Sequence, residues 1–437
     1  MLILRALLGL AFFCGVAWLL SSNKRSVNLR IVFGGILMQV LLALVILKTE
    51  IGRKALNGLS EMATTILGFG QDGARMVFGD ILTGVRYAPG TEELPAPMQL
   101  FPSFASLPEG AGAMSAPVSF AFGALTTIIY FSALMAILYH LGIVQLLVQV
   151  LAKVMRLLLK VSGAESLAMA ANVFVGQTEA PLVVRPYIGT MTRSELMALM
   201  TGGFATIAGS VLAVYIGILG EGFAGHLLAA SFMSAPAAFV LAKIMVPETE
   251  VPVTAGGAKL VDDEATKPAN LLDAAAEGTT DGLKLYLNVV AMLIAFVSLV
   301  GLINWGLGQI PIDVGGAPLT LQRLLGYVFA PIAWMMGIEW ADCINFGSLL
   351  GTKVAVNEFI AFSEMQGMKE TISERSYTMA AYALCGFANF ASVGIQIGGI
   401  GALAEGRRKD LSKLALRAML GGAFASWMTA TIAGAFL

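Results

Sequence analysis

The stretch Asn172–Gly189, NVFVGQTEAPLVVRPYIG, places three adjacent polar side chains inside a hydrophobic region of the chain. Gln177, Thr178 and Glu179 lie between a glycine, which relaxes the backbone, and a proline, which a continuous helix excludes. At membrane depth, non-helical backbone is tolerated only where protein or water covers it. The stretch therefore predicts the tip of a re-entrant helical hairpin whose polar side chains face a cavity.

Glu179 is a carboxylate that the predicted tip places at membrane depth. A charged side chain at the bilayer centre costs roughly 2.5–3.5 kcal/mol on insertion scales, so such residues are candidates for function. The alternative is a carboxylate that pairs with Arg185 and serves helix packing alone.

The composition is that of a polytopic membrane protein. Of 437 residues, 57% are hydrophobic and only 13% are charged, whereas soluble domains have about 25% charged residues. A net charge of -1 gives no electrostatic reason to expect a nucleic-acid partner.

Windows of about 20 apolar residues predict eight membrane spans. They lie near 3–21, 31–48, 116–142, 194–219, 224–246, 285–309, 376–402 and 411–436. Clusters of Lys and Arg follow spans one, three, five and seven, and all lie on one side if both termini are outside. Arg53 and Lys54 do not fit this arrangement, and an interfacial amphipathic helix over 54–83 would accommodate them.

Two further apolar segments, 145–190 and 323–366, lack the uninterrupted apolar run of a transmembrane span. Each carries a polar interruption, GQTEAPL in the first and TKVAVNEFIAF in the second. The predicted topology brings them into the membrane from opposite sides, which is the layout of an inverted-repeat transporter. The predicted fold is an all-α polytopic membrane protein with eight transmembrane helices and two oppositely oriented re-entrant hairpins.

The second interruption repeats the chemistry of the first. Asn357 and Glu358 are adjacent, and Lys353 precedes them by about one turn. The alternative interpretation is an ordinary Lys353–Glu358 ion pair on a wet face of the hairpin.

A third polar cluster lies in span seven, in CGFANFASVGIQIGG. Phe387, Asn389 and Ser392 combine a ring, an amide and a hydroxyl, which suits a flat heterocycle that carries a polar ring. The alternative is helix packing with polar contacts. In span four, Thr206 and neighbouring small residues favour local unwinding, which would free carbonyl groups for a hard cation.

These three motifs, in this order, resemble the concentrative nucleoside transporter family, and most of all its bacterial sodium-coupled members. The resemblance implies a homotrimer whose protomers each have a scaffold and a mobile transport domain. It implies scaffold helices with the interfacial helix over 1–142, the first half of the transport domain over 143–246, a linker with scaffold span six over 247–322, and the second half of the transport domain over 323–437.

The resemblance also implies a role for each site residue. Gln177, Thr178 and Glu179 would address the nucleobase, and Val211 and Phe387 would flank it. Glu358, Asn389 and Ser392 would bind the ribose hydroxyls. The sodium ligands would be Asn172, Val175, Thr206 and Ile207, partly through backbone carbonyls; many relatives have serine where this chain has Thr206.

The implied function is sodium-driven import of uridine-like pyrimidine nucleosides, and of adenosine, across the bacterial inner membrane by alternating access. Sodium is then the coupling ion, no organic cofactor is expected, and both termini are periplasmic. A proton-coupled transporter of the same fold, with Glu179 or Glu358 as the proton carrier, stays open, as does the preference between purines and pyrimidines. A membrane-embedded hydrolase is disfavoured because both histidines are remote from these motifs, and neither a nucleophile–base arrangement nor metal-ligand spacing is visible.

Overall fold

The computed structural model describes residues 2–83, 121–122, 124–258, 268–310 and 318–437. The regular structure in these ranges is helical, which confirms the all-α prediction. The first helices are α1 (Leu2–Leu19), α2 (Leu29–Lys48), α3 (Glu50–Thr83), α4 (Thr127–His140) and α5 (Ile143–Leu159).

The helices α1 and α2 confirm the first two predicted spans. The third, predicted for 116–142, begins outside the described residues, and its described part, α4, ends at His140. The chain then turns by 74° into α5, and Gly142 takes the positive φ of 79° that this turn requires. A helix, α3, covers the range 54–83 predicted as helical, and it begins at Glu50 because the Thr49 hydroxyl accepts from the Gly52 amide at 2.9 Å.

The next helices are α6 (Gly163–Asn172), α7 (Ala180–Val183), α8 (Arg185–Ile188), α9 (Arg193–Ala205), α10 (Gly209–Leu219) and α11 (Ala224–Met245). The predicted interruption of the first segment is present, since 173–179 is not helical. The local unwinding predicted in span four, over 194–219, is present, because the helix stops at Ala205 and resumes at Gly209. Thr206 is extended, and the Gly209 amide donates to the Phe174 carbonyl at 3.1 Å instead of to its own helix.

The remaining helices are α12 (Leu271–Gly308), α13 (Leu321–Met335), α14 (Cys343–Ala355), α15 (Glu358–Gly367), α16 (Glu374–Leu384), α17 (Phe390–Leu403) and α18 (Arg408–Phe436). The predicted sixth span lies within α12, which starts earlier because Asn270 caps it. The span predicted over 376–402 is present as two helices, α16 and α17, since the chain is not helical at 385–389. Gly386 has φ +141° there, and a Cβ on it would lie 2.8 Å from the Phe204 carbonyl oxygen. Glycine therefore lets the two interrupted helices approach closely.

The two halves share one order of elements. An amphipathic helix, α5 or α13, precedes a broken segment, then an interrupted long helix, then a continuous one, α11 or α18. Among the described helices, α1, α2, α11, α12 and the last helix are long and apolar enough to cross a membrane. The interrupted helices are too short to do so as separate pieces, because about 20 residues are needed.

The starts of α6 and α9 are joined by a buried hydrogen bond from the Ser162 hydroxyl to the Glu195 carboxylate. Both begin with a capping box, Ser162–Glu165 and Thr192–Glu195. The Lys243 ammonium of α11 lies 2.6 Å from Glu165 Oε2, and both groups are buried. The broken segment that follows α6 is thus held at its base by paired charges.

Candidate substrate and cation site

The first broken segment packs against the interruption between α9 and α10. The Phe174 carbonyl accepts from Gly209, and a Cβ on Gly176 would lie 3.2 Å from the Ala208 Cβ. The structure therefore brings residues 172–176 and 202–209 together, and these two stretches contain all four predicted sodium ligands.

Asn172 offers an unused oxygen at this junction. Its Nδ2 donates to the Ala168 carbonyl at 3.1 Å, while its Oδ1 is buried and has no hydrogen-bond partner among the described residues. The Thr206 hydroxyl donates to the Gly202 carbonyl at 3.0 Å, and its oxygen can still accept a hydrogen bond or contact a cation. A buried acceptor without a donor costs free energy unless a cation or water meets it, so these residues fit a small hard cation.

Glu358 occupies the other end of the site. It is the first residue of α15 and only 3% exposed. Its Oε1 accepts from the Tyr215 hydroxyl at 3.0 Å, and its Oε2 accepts from Asn389 Nδ2 at 2.7 Å. Both carboxylate oxygens are thereby oriented by neutral donors.

Two asparagines start helices beside this carboxylate. Asn357 accepts from the Ile360 amide at 2.9 Å, and Asn389 accepts from the Ser392 amide at 2.8 Å. Each is therefore the N-cap of the helix that follows its break. A backbone N–H can only donate, so the contact with Ser392 fixes the Asn389 oxygen and leaves its Nδ2 for Glu358.

Gln177 connects the first broken segment to this network. Its Nε2 donates to Ser392 Oγ at 3.2 Å, and its Oε1 accepts from Gln396 Nε2 at 3.0 Å. Gln396 also donates to the Met200 carbonyl at 3.1 Å. A continuous chain of hydrogen bonds thus runs to α9. Its members are, in order, Tyr215, Glu358, Asn389, Ser392, Gln177, Gln396 and the Met200 carbonyl.

Lys353 does not make the ion pair that was the alternative for the second interruption. Its ammonium is fully buried and donates to the Ala383 carbonyl at 2.8 Å and to Ser426 Oγ at 2.7 Å. Its hydrogen bonds therefore join α14 to α16 and α18, and Glu358 takes its own from Tyr215 and Asn389.

The other predicted residues surround this chain. Val211 and Phe387 are buried, whereas Thr178 and Glu179 are exposed at the tip of the first broken segment. The Glu179 carboxylate folds back over Gly176, so a Cβ on that glycine would displace it.

Two residues of the network, Tyr215 and Gln396, were not predicted from the sequence. Tyr215 packs between Phe359 and Phe362, at ring-centroid distances of 5.0 and 4.4 Å. An aromatic residue in an apolar helix gives no signal of this role. Gln396 did give one, because it is a lone amide inside the motif of span seven.

Family models match most of the chain. "Na+ dependent nucleoside transporter C-terminus" matches residues 226–434, the corresponding N-terminal model matches 8–81, and "Nucleoside recognition" matches 121–222. A transporter of Haemophilus influenzae without an assigned substrate is 40% identical over 100% of this chain and 98% of its own length. This chain belongs to the concentrative nucleoside transporter family.

Relatives with named activities agree. The nucleoside permease NupC of Helicobacter pylori is 36% identical and is covered over 97% of its length. The rat sodium/nucleoside cotransporter 2 is also 36% identical, and this chain spans 62% of it. The predictions that the chain is a nucleoside transporter and no enzyme are confirmed by these relatives.

Solved structures confirm the fold. The structure of CNTnw in an inward-facing substrate-bound state has a TM-score of 0.86 and 39% identity, and covers 100% of this chain. An outward-facing structure of a CNTnw variant has a TM-score of 0.85. The chain is thus a multi-pass membrane transporter, and its fold is known in inward-facing and outward-facing states.

Proposed function

We propose that the chain imports nucleosides together with sodium. The observation that carries this proposal is the buried hydrogen-bond chain, which joins Gln177 of one broken segment to Glu358 of the other. A ligand between them would meet amide groups at one end and a carboxylate at the other. A nucleoside offers a heterocycle and a diol to the same two ends.

Glu358 and Asn389 would bind the ribose. A carboxylate accepts strongly from hydroxyl donors, and vicinal hydroxyls match its two oxygens. A site built for a hydroxyl rejects an analogue that lacks it, because buried polar groups are then left without partners. Ser392 would contribute at the same end, although its hydroxyl also accepts from Gln177.

Gln177, Thr178 and Glu179 would address the nucleobase, with Val211 and Phe387 against its faces. An amide presents one donor group and one acceptor, which complements the mixed edge of a pyrimidine. Uridine-like nucleosides are therefore the proposed substrates, with adenosine as a further one.

Asn172 and Thr206, with the backbone carbonyls of Val175 and Ile207, would hold the sodium ion. The ion would contact Asn172 Oδ1, which has no hydrogen-bond partner among the described residues. Because residues 172–176 lead directly into Gln177, sodium would fix the tip of the first broken segment. Binding of either ligand would then raise the affinity for the other.

Proton coupling is the second candidate, and the contact between Tyr215 and Glu358 supports it. A tyrosine hydroxyl can donate or accept, so Glu358 can hold a proton on Oε1 without losing this hydrogen bond. Glu179 is the other candidate carrier in this mechanism.

We also propose the arrangement in the membrane. The protein would be a homotrimer in the bacterial inner membrane with both termini in the periplasm. The segments 143–246 and 323–437 would form the transport domain, entering from opposite sides, and the remaining helices would form the scaffold.

Equilibrium binding of uridine to purified protein tests the proposal. Affinity is measured in sodium and in potassium at equal ionic strength. The proposal expects tighter binding in sodium, and equal affinities would contradict the linkage.

A further inference from the structure

Gln396 is a buried amide that the proposed contacts with substrate and cation do not use. It is 1% exposed, lies on α17 and faces Gln177 and α9. Its Oε1 is buried and has no hydrogen-bond partner among the described residues. A buried amide oxygen without a hydrogen-bond donor needs an explanation, since buried polar groups normally have hydrogen-bond partners.

The contact with Met200 decides how the Gln396 amide is oriented. A backbone carbonyl can only accept, so the atom 3.1 Å from the Met200 oxygen must be the nitrogen of Gln396. The same nitrogen lies 3.0 Å from Gln177 and donates its second proton there. The Gln177 atom that receives this proton must therefore be Oε1.

This contact in turn orients the whole Gln177 amide. With Oε1 toward Gln396, Nε2 points to Ser392 Oγ, a hydroxyl that would accept either amide orientation. Of these two contacts only the one with Gln396 distinguishes the oxygen of Gln177 from its nitrogen. The backbone of α9 thus decides, through Gln396, which edge of Gln177 carries the donor.

Gly203 makes room for this arrangement. A Cβ on Gly203 would lie 2.6 Å from Gln396 Nε2 and 2.9 Å from the Gln177 Cβ. A Cβ at this position would therefore displace the Gln396 amide or the Gln177 side chain from its present place.

We propose that Gln396 is a positioning residue for nucleobase selectivity, which fixes the donor and acceptor order that Gln177 presents. It acts through Gln177 and does not itself touch the substrate. The inference rests on the proposed function, because it requires Gln177 to face the base.

Uridine and cytidine are the probes, since they share the ribose and differ by exchange of donor and acceptor at the base edge. Gln396→Glu removes the donor toward Gln177, so the Gln177 amide reverses and donates to the new carboxyl group. The ratio of uridine to cytidine kcat/KM should then change by about fivefold, the worth of one ordinary hydrogen bond. Gln396→Met leaves Gln177 without a fixed orientation, and the ratio should move toward one.

The ratio of uridine to 3′-deoxyuridine separates this role from a structural one. Asn389 is oriented by the backbone amide of Ser392, which cannot reverse, and it keeps its contact with Glu358, so ribose discrimination should change far less than the base ratio in both variants. Gln366→Glu, on an exposed glutamine, is the matched control and should change neither ratio. Should Gln396→Glu fail to fold, Gln396→Met and Gly203→Ala give the same test, with a shift toward one expected in both.

Equal losses for uridine and cytidine in the Gln396 variants would overturn the proposal and leave Gln396 a packing residue. Gln177→Ala separates the positioning role of Gln396 from the assignment of Gln177 to the base. If it changes the base ratio while the Gln396 variants do not, only the positioning role fails. If it leaves the ratio unchanged, the assignment of Gln177 to the base fails, and the role of Gln396 fails with it.

Discussion

Gln177 Nε2 lies 3.2 Å from Ser392 Oγ, although 215 residues separate the two in sequence. Gln177 belongs to the first broken segment and Ser392 to the first turn of α17, after the break in the second half of the chain. The two halves therefore meet at their non-helical points. Polar groups that each half would leave unsatisfied in a membrane satisfy one another there.

Glu358→Gln should impair uridine transport strongly. The substitution removes the charge and one acceptor, and places an NH₂ group opposite Asn389 Nδ2 or the Tyr215 hydroxyl. Hydrogen bonds to charged groups are worth about 1.5–3 kcal/mol, so KM for uridine should rise roughly 10- to 100-fold. Initial uptake rates over a range of uridine concentrations measure this. The exposed carboxylate of Glu370 provides the control Glu370→Gln, and near-normal uptake by Glu358→Gln would refute the assignment.

Tyr215→Phe should weaken the same end of the site by less. The ring stays packed between Phe359 and Phe362, and only the O–H donor to Glu358 is lost. One hydrogen bond of about 1 kcal/mol predicts a loss in kcat/KM for uridine of roughly fivefold. Tyr327→Phe, on an exposed tyrosine, should behave as the wild type. Wild-type kinetics in Tyr215→Phe would show that Glu358 does not depend on this donor.

Asn172→Ala should shift the sodium dependence of uptake. It deletes the buried oxygen that has no partner, and with it one proposed ligand. The sodium concentration for half-maximal uridine uptake should rise about tenfold, the effect of about 1.4 kcal/mol. Asn23→Ala, at an exposed asparagine, controls for loss of an amide. An unchanged sodium activation curve counts against the site.

Lys353→Met should lower stability. The ammonium group bridges the Ala383 carbonyl and the Ser426 hydroxyl, and both lose their donor in the variant. A buried polar group left unsatisfied costs about 1–3 kcal/mol, so the melting temperature of the detergent-solubilised protein should fall by several degrees. Lys284, whose ion pair with Asp281 is exposed, supplies the control Lys284→Met, expected to change little. A melting temperature equal to that of the wild type would mean that this bridge contributes no stability.

The sequence predicted the positions of the polar breaks because glycine, proline and charge are conspicuous in apolar surroundings. Gln177 and Glu358 were found in this way. The interruptions at 206–208 and 385–389 were weaker signals, since small residues are common in membrane helices and an apolar window still reaches the length of a span. After α9 the Gly209 amide donates to the Phe174 carbonyl, and the sequence gives no sign of this tertiary contact.

Partners of buried polar groups could not be predicted from spacing. Lys353 precedes Glu358 by five residues, yet its hydrogen bonds go to groups 30 and 73 residues away. Tyr215 is one of many aromatic residues, and its contact with Glu358 spans 143 residues. Such pairings depend on how the two halves of the chain pack.

Uptake of radiolabelled uridine into proteoliposomes tests the central claim most directly. An inward sodium gradient is imposed at equal pH on both sides, and a parallel sample receives an inward proton gradient in sodium-free buffer. Sodium-coupled transport predicts accumulation of uridine above its external concentration in the first sample only. Accumulation driven by the proton gradient alone, or no accumulation in sodium, would contradict it.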